Sequence, residues 1–178
     1  MNSHHASDLT LDRLRSLLAY DAITGQWTWR VSRGGKLTGS RAGYLNPDGY
    51  WRIEVDGRVY LAHRLAVFYM TGEWPIGDVD HENTNKSDIS WKNLRPATKS
   101  QNMANARLRK HNKSGRKGVS WHKEKRKWVA QLRHDGKLRF LGYFDDVNEA
   151  GDAYDIAAKK TFGEFYRPGA IDELAGRL

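Results

Sequence analysis

Two Asp-Gly dipeptides constrain this chain more than any other feature. Asp56-Gly57 sits inside "GYWRIEVDGRVYLAH", where Trp51, Ile53 and Val55 alternate before the dipeptide and Val59 and Leu61 after it. Asp135-Gly136 joins "KWVAQLRHD" to "KLRFLGYF", two runs of strand-forming residues. A two-residue turn with both φ angles positive matches the twist of the strands it connects, and Asp-Gly adopts it readily. Each dipeptide therefore predicts an antiparallel hairpin, one in each half of the chain. "KGVSWH" just upstream adds a third strand to the second hairpin.

Helical spacing surrounds these hairpins, so the fold class is α+β. "TLDRLRSLLAYD" sets Leu11, Leu14, Leu17 and Leu18 three and four apart behind Thr10 as N-cap, and "ITGQWTWRV" follows as a turn and a strand. "HRLAVFYMTG" reads as a short helix ended by Gly72. Thr98 and Gln101 have the spacing of a capping box, which starts another helix and puts Asn102 in its first turns. Asp146 and Glu149 open a last helix that runs to about Thr161 and closes at Gly163. Its Ala150, Ala153 and Ala157 form a small-residue side that can lie close against a sheet.

Composition narrows the chemistry. With 178 residues, 39% hydrophobic and seven Trp, the chain can bury a core in one medium domain or two small ones. It has no cysteine, which excludes disulfides and thiolate zinc sites and fits a reducing cytoplasm. No apolar run reaches membrane-spanning length, and "MNSHHASDL" lacks the apolar core of a signal peptide, so His4 and His5 belong to a tail. The formal charge of +9 is unevenly spread. Arg107 to Phe140 carries thirteen Lys and Arg against two acids, leaving the remainder of the chain near −2. Basic residues interleaved with Trp121, Trp128 and Phe140 on strand-like sequence point to a polyanion, nucleic acid first.

The stretch "DVDHENTNKSDISWKNLRPATKSQNMANA" combines an acid, an imidazole and two amides. Asp80 and His81 end one strand-like run, Asn93 begins another, and Asn102 lies on the capped helix. A carboxylate and an amide oxygen suit a hard cation such as Mg²⁺. A histidine with an ordinary pKa of about 6.5 suits the activation of water. Beside the most basic part of the chain, that combination describes phosphodiester hydrolysis.

Asn93 follows His81 by 12 residues and Asn102 follows it by 21. With "HRLAVFYMTGEWP" upstream and "NLRPATKSQNMANA" downstream, residues 60–106 resemble the HNH nuclease family, whose fold is ββα-metal. The likeness is closest to the phage and homing branch, in which the third motif position is Asn. The resemblance implies that Asp80 and Asn102 hold one divalent ion, Mg²⁺ or Mn²⁺, and that His81 is the general base. It also implies that Asn93 holds the loop between the strands and so orients His81. His63, His111 and His122 are further candidates for phosphate contact.

Residues 116–166 resemble the APETALA/ethylene-response-factor type of DNA-binding domain, through "KGVSWHKEKRKWVAQLR" and "LGYFDDVNEAGDAYDIAAKKTFGEF". That family places one sheet face in the major groove and the other on a helix. Strand alternation assigns Val119, Trp121, Trp128, Ala130 and Leu132 to the helix. It assigns Ser120, His122, Lys127, Gln131 and Arg133 to DNA, joined by Lys117, Arg139 and Phe140. Ser120 and Leu138 stand where the family usually has arginine, which weakens any inference about target sequence.

The resulting expectation is a metal-dependent DNA endonuclease of homing or phage type, with no small-molecule cofactor and no membrane partner. Residues 1–106 form an HNH nuclease domain, 107–115 a basic linker, 116–168 a three-stranded antiparallel sheet packed on one helix, and 169–178 a tail. It acts on double-stranded DNA as a monomer or homodimer. The rival reading is a DNA-binding regulator with an inactive nuclease scaffold.

Overall fold

A computed structural model describes residues 9–32, 34–109 and 111–168. The tail carrying His4 and His5, Lys110, and the tail from residue 169 lie outside the described residues. The chain divides into two compact units, Met1–Pro96 and Ala97–Leu178.

The first unit opens with α1 (Leu11–Leu17), where Thr10 Oγ1 accepts from the Arg13 backbone N–H at 3.2 Å. β1 (Leu18–Tyr20) continues directly from it and pairs antiparallel with β2 (Trp27–Trp29). β3 (Tyr44–Leu45), β4 (Trp51–Val55) and β5 (Arg58–Leu61) form an antiparallel sheet in that order. Asp56 and Gly57 turn the β4–β5 hairpin with φ of 48° and 78°. Arg13 grips the Asp56 carboxylate through Nε and Nη2, both at 2.9 Å, and so ties α1 to that turn. α2 (Ala62–Thr71) ends where Gly72 adopts φ 81°. β6 (Asp78–His81) and β7 (Leu94–Ala97) make a separate two-stranded pair. Leu14, Leu18, Trp27, Ile53 and Leu65 are wholly enclosed in one core. Each such side chain contributes about 1.5–3 kcal/mol by leaving water, and Val79 of the same core anchors β6, the strand that carries Asp80 and His81.

The second unit begins with α3 (Lys99–Asn105), closed at its start by the Thr98–Gln101 capping box. β8 (Val119–His122), β9 (Lys127–His134) and β10 (Lys137–Phe144) form an antiparallel sheet with β9 in the centre. Asp135 and Gly136 turn the β9–β10 hairpin with φ of 47° and 76°. α4 (Val147–Phe162) starts at Asp146, whose carboxylate accepts from the N–H groups of Asn148 and Glu149. It packs on the sheet through two patches. One gathers Val119, Ala130 and Ala150 with Trp128 and Phe144. The other gathers Leu132, Ala158, Phe162 and Phe165 with Ala97 and Ala104. Gly118 has φ 65° and lies against the Tyr154 ring, so a side chain there meets both backbone strain and a clash.

Two features differ from the sequence expectation. The units separate at Pro96–Ala97 rather than at residue 106, because Ala104 of α3 is buried with Leu132, Phe162 and Phe165. Asp135 N–H also donates to Ser100 Oγ at 3.0 Å, and Arg167 N–H to Ala104 O at 3.4 Å, which fastens both ends of α3 to this unit. The expected linker is an ordered turn from His111 onward. Ser114 Oγ donates to Arg116 O and Val119 O, both at 2.9 Å, and Asn112 Nδ2 donates to Arg116 O at 3.0 Å.

Candidate functional site

β6 places Asp80 and His81 side by side at its end, with exposures of 3% and 5%. The chain leaves β6 through a loop that returns by a short helical turn, Trp91–Asn93, into β7. Asn93 is itself buried, and its side chain spans that loop. Its Oδ1 accepts from Asn83 N–H at 2.9 Å, and its Nδ2 donates to Asp88 O at 2.7 Å. Its backbone carbonyl accepts from Glu82 N–H at 3.0 Å, next to His81. Asp88 adds a second tie, accepting from Asn83 Nδ2 at 2.7 Å and from Ser90 Oγ at 2.7 Å. The segment after His81 is thus held by side-chain to backbone bonds in place of regular structure.

Two partners flank these residues, and one of them, Arg95, had no role in the sequence reading. Arg95, on β7, places Nε and Nη2 each 2.9 Å from Asp80 Oδ2, and both side chains are largely enclosed. No local pattern in the sequence joins Arg95 to Asp80, because burial does not alternate along β6 or β7 and the pairing of the two strands is a contact between elements. His63, on α2, brings its ring centroid 4.9 Å from that of His81 at an interplanar angle of 73°. Tyr50 lies 5.3 Å from His63 and 6.0 Å from His81, and Lys86 Nζ sits 4.4 Å over the Tyr50 ring.

His63 was a candidate for phosphate contact, and its burial at 4% exposure corrects that expectation. Among the described residues its Nδ1 is enclosed without a hydrogen-bond partner. Burial, with smaller repulsion from His81 and Arg64, pushes its pKa down to about 3, so the ring is neutral at neutral pH. Burial also pushes His81 below the ordinary histidine value, against the opposing pull of Asp80 and Asp88. Two neutral imidazoles therefore lie ring to ring beside a carboxylate held by a guanidinium. Asn102 lies partly buried on α3, in the second unit.

The sheet of the second unit sorts its residues by register. Ser120 pairs with Val129 and His122 with Lys127; on the other edge of β9, Val129 pairs with Tyr143, Gln131 with Phe140 and Arg133 with Leu138. Ser120, His122, Lys127, Gln131, Arg133 and Phe140 accordingly share one face, the face that α4 does not cover. A bulge between Phe140 and Gly142 brings Tyr143 onto the same face, with its ring 4.9 Å from Phe140 and 5.3 Å from His122. Phe140 is 53% exposed there.

Arg139 and Lys117 depart from the expectation. Arg139 pairs with Leu132, which is buried under α4, so it belongs to the opposite face. Lys117 turns inward, and its ammonium donates to Ala104 O at 2.9 Å and Arg167 O at 2.8 Å. A cation at the last turn of α3 meets carbonyls left without helical partners. Trp121, expected in the core, is 47% exposed and meets Trp128 edge-on with ring centroids 5.1 Å apart.

Residues 60–104 match the family model described as HNH endonuclease. A protein of Acanthamoeba polyphaga mimivirus, named as an uncharacterized HNH endonuclease, is 30% identical over 131 residues, covering 72% of this chain and 67% of that protein. No solved structure matches the chain. The matched segment contains Asp80, His81, Asn93 and Asn102, and it runs from the first unit into the second.

Proposed function

The chain belongs to the HNH endonuclease family and is a nuclease, and from that premise we propose that it hydrolyses phosphodiester bonds of double-stranded DNA. The observation that carries this reading is the buried Asp80–His81 pair at the end of β6, beneath a loop pinned by Asn93. His81 is the general base that takes a proton from the attacking water, and its depressed pKa keeps the ring able to accept one at neutral pH. Asn93 positions His81 by fixing the loop that follows it. The products are 5′-phosphate and 3′-hydroxyl ends.

HNH nucleases generally use a divalent metal ion, and here Asp80 and Asn102 would hold it. The donors fit Mg²⁺ or Mn²⁺: a carboxylate and an amide oxygen are hard ligands, suited to an ion that completes its shell with water and phosphate. When bound, such an ion stabilises the negative charge that develops during phosphodiester cleavage.

The nuclease function is assigned to residues 1–106, whose last helix, α3, packs in the C-terminal compact unit, and residues 116–168 are assigned the work of holding duplex DNA in the manner of an APETALA/ethylene-response-factor domain. Shared register supports Ser120, His122, Lys127, Gln131, Arg133 and Phe140 as its groove face. Asn at the third motif position supports the homing or phage branch, acting in the cytoplasm. The test compares duplex DNA with RNA in a cleavage assay with Mg²⁺, Mn²⁺ or EDTA. Metal-dependent cutting of duplex DNA is expected. Duplex binding without cutting would favour the regulator reading, and preferential cutting of RNA would reassign the substrate.

A further inference from the structure

The buried Asp80 carboxylate is already neutralised. Arg95 places two guanidinium nitrogens, Nε and Nη2, at 2.9 Å from the same oxygen, Oδ2. The Asp80 side chain is 4% exposed and that of Arg95 is 15% exposed, so water screens the pair little. A buried carboxylate without a partner is costly, which explains why a cation stands there. A divalent ion arriving at the same carboxylate meets that guanidinium. Three positive charges would then share one negative charge at close range, a strongly unfavourable arrangement at low dielectric. A phosphate relieves it, because it is an acceptor that matches the guanidinium fork.

We propose that Arg95 is a displaceable counter-ion for Asp80, holding the carboxylate until a DNA phosphate draws the guanidinium away, so that divalent metal and duplex DNA bind with positive coupling. The inference rests on the reading of Asp80 as a metal ligand. It makes Arg95 a positioning residue with two partners in turn, Asp80 and then phosphate. Linkage requires the coupling to be reciprocal: metal raises DNA affinity by the factor by which DNA raises metal affinity. The chain is thereby kept from loading metal in the absence of substrate.

The test uses the full chain and Mn²⁺. Mn²⁺ affinity without DNA is read by electron paramagnetic resonance of the free ion, for the wild type, Arg95→Gln and Asp80→Asn. Arg95→Gln is expected to bind Mn²⁺ more tightly by about 5–150-fold, the usual span of such couplings. A merely structural role for Arg95 predicts no gain. In parallel, the affinity of the cleavage-impaired His81→Ala for a short random-sequence duplex is measured with and without Mn²⁺ at matched ionic strength, and it should rise with the metal. If Asp80→Asn binds Mn²⁺ as the wild type does, the ligand reading of Asp80 is wrong. If Asp80→Asn loses binding while Arg95→Gln stays at wild-type affinity, the counter-ion inference alone is overturned. Should Arg95→Gln fail to fold, the His81→Ala duplex measurement decides, and an affinity indifferent to Mn²⁺ sinks the proposal.

Discussion

His81 and His63 are ring neighbours with opposite prospects. His81→Ala should leave duplex affinity unchanged and cut the cleavage rate by roughly 10²–10⁴, the usual worth of general acid–base catalysis. Near-wild-type turnover in single-turnover kinetics would remove it from the mechanism. His63 acts on stability through its depressed pKa of about 3. Between that value and about 6.5 the unfolded chain takes up a proton that the folded ring refuses. Its contribution is therefore fully present above pH 6.5 and lost as pH falls, by up to about 1.4 kcal/mol per pH unit. His63→Phe should flatten the decline of the urea midpoint between pH 7 and pH 5, and an unchanged slope would exclude His63 as its source. The acid and the imidazole of β6 were legible in the sequence because they adjoin each other. Arg95 and His63 were visible as residues but not as partners, since contacts between elements leave no mark in local spacing.

Among the elements, turns and caps were the most legible. Asp-Gly, the Thr98–Gln101 box, Asp146 and Gly72 each depend on a few adjacent residues, and local rules suffice for them. The loop after β6 depends on Asn93 reaching ten residues back to Asn83 and five back to Asp88. Asn93→Ala leaves both backbone partners without that side chain and should cost about 1–3 kcal/mol by denaturant unfolding, with a loss of activity. Asn93→Asp keeps the acceptor for Asn83 and loses the donor to Asp88, so it should fall between; equality with Ala would deny the acceptor a role. Lys117 was misread because a run of basic residues says nothing about which ammonium turns inward. The turn built by Asn112 and Ser114 carries Lys117 onto the carbonyls of Ala104 and Arg167. Lys117→Ala should lower the melting temperature and leave the salt dependence of DNA binding intact. Lys127→Ala, on the open face, should reduce the log–log salt slope by about one unit with little loss of stability. The reverse pattern would return Lys117 to the interface.

At the scale of the whole molecule, charge and packing divide the chain at different places. The basic excess begins near Arg107, whereas compactness divides the chain at Pro96–Ala97. Composition revealed the first division, but the second depends on Ala104 finding Leu132, Phe162 and Phe165, contacts too distant in sequence for periodicity to reveal. α3 contains the last residue of the nuclease motif, yet its buried side belongs to the C-terminal core. Heat inactivation should consequently follow the melting of the C-terminal unit, even while β6 and its loop remain folded. Gly118→Ala tests this without touching any motif residue. Its positive φ and its contact with Tyr154 should weaken that unit by about 1–2 kcal/mol or more. Residual cleavage after a heat step, set beside amide exchange of the C-terminal sheet, should show the two declining together. If cleavage outlasts the sheet, Asn102 is not needed for the reaction. If they fall as one, the C-terminal unit sets the working temperature of the nuclease.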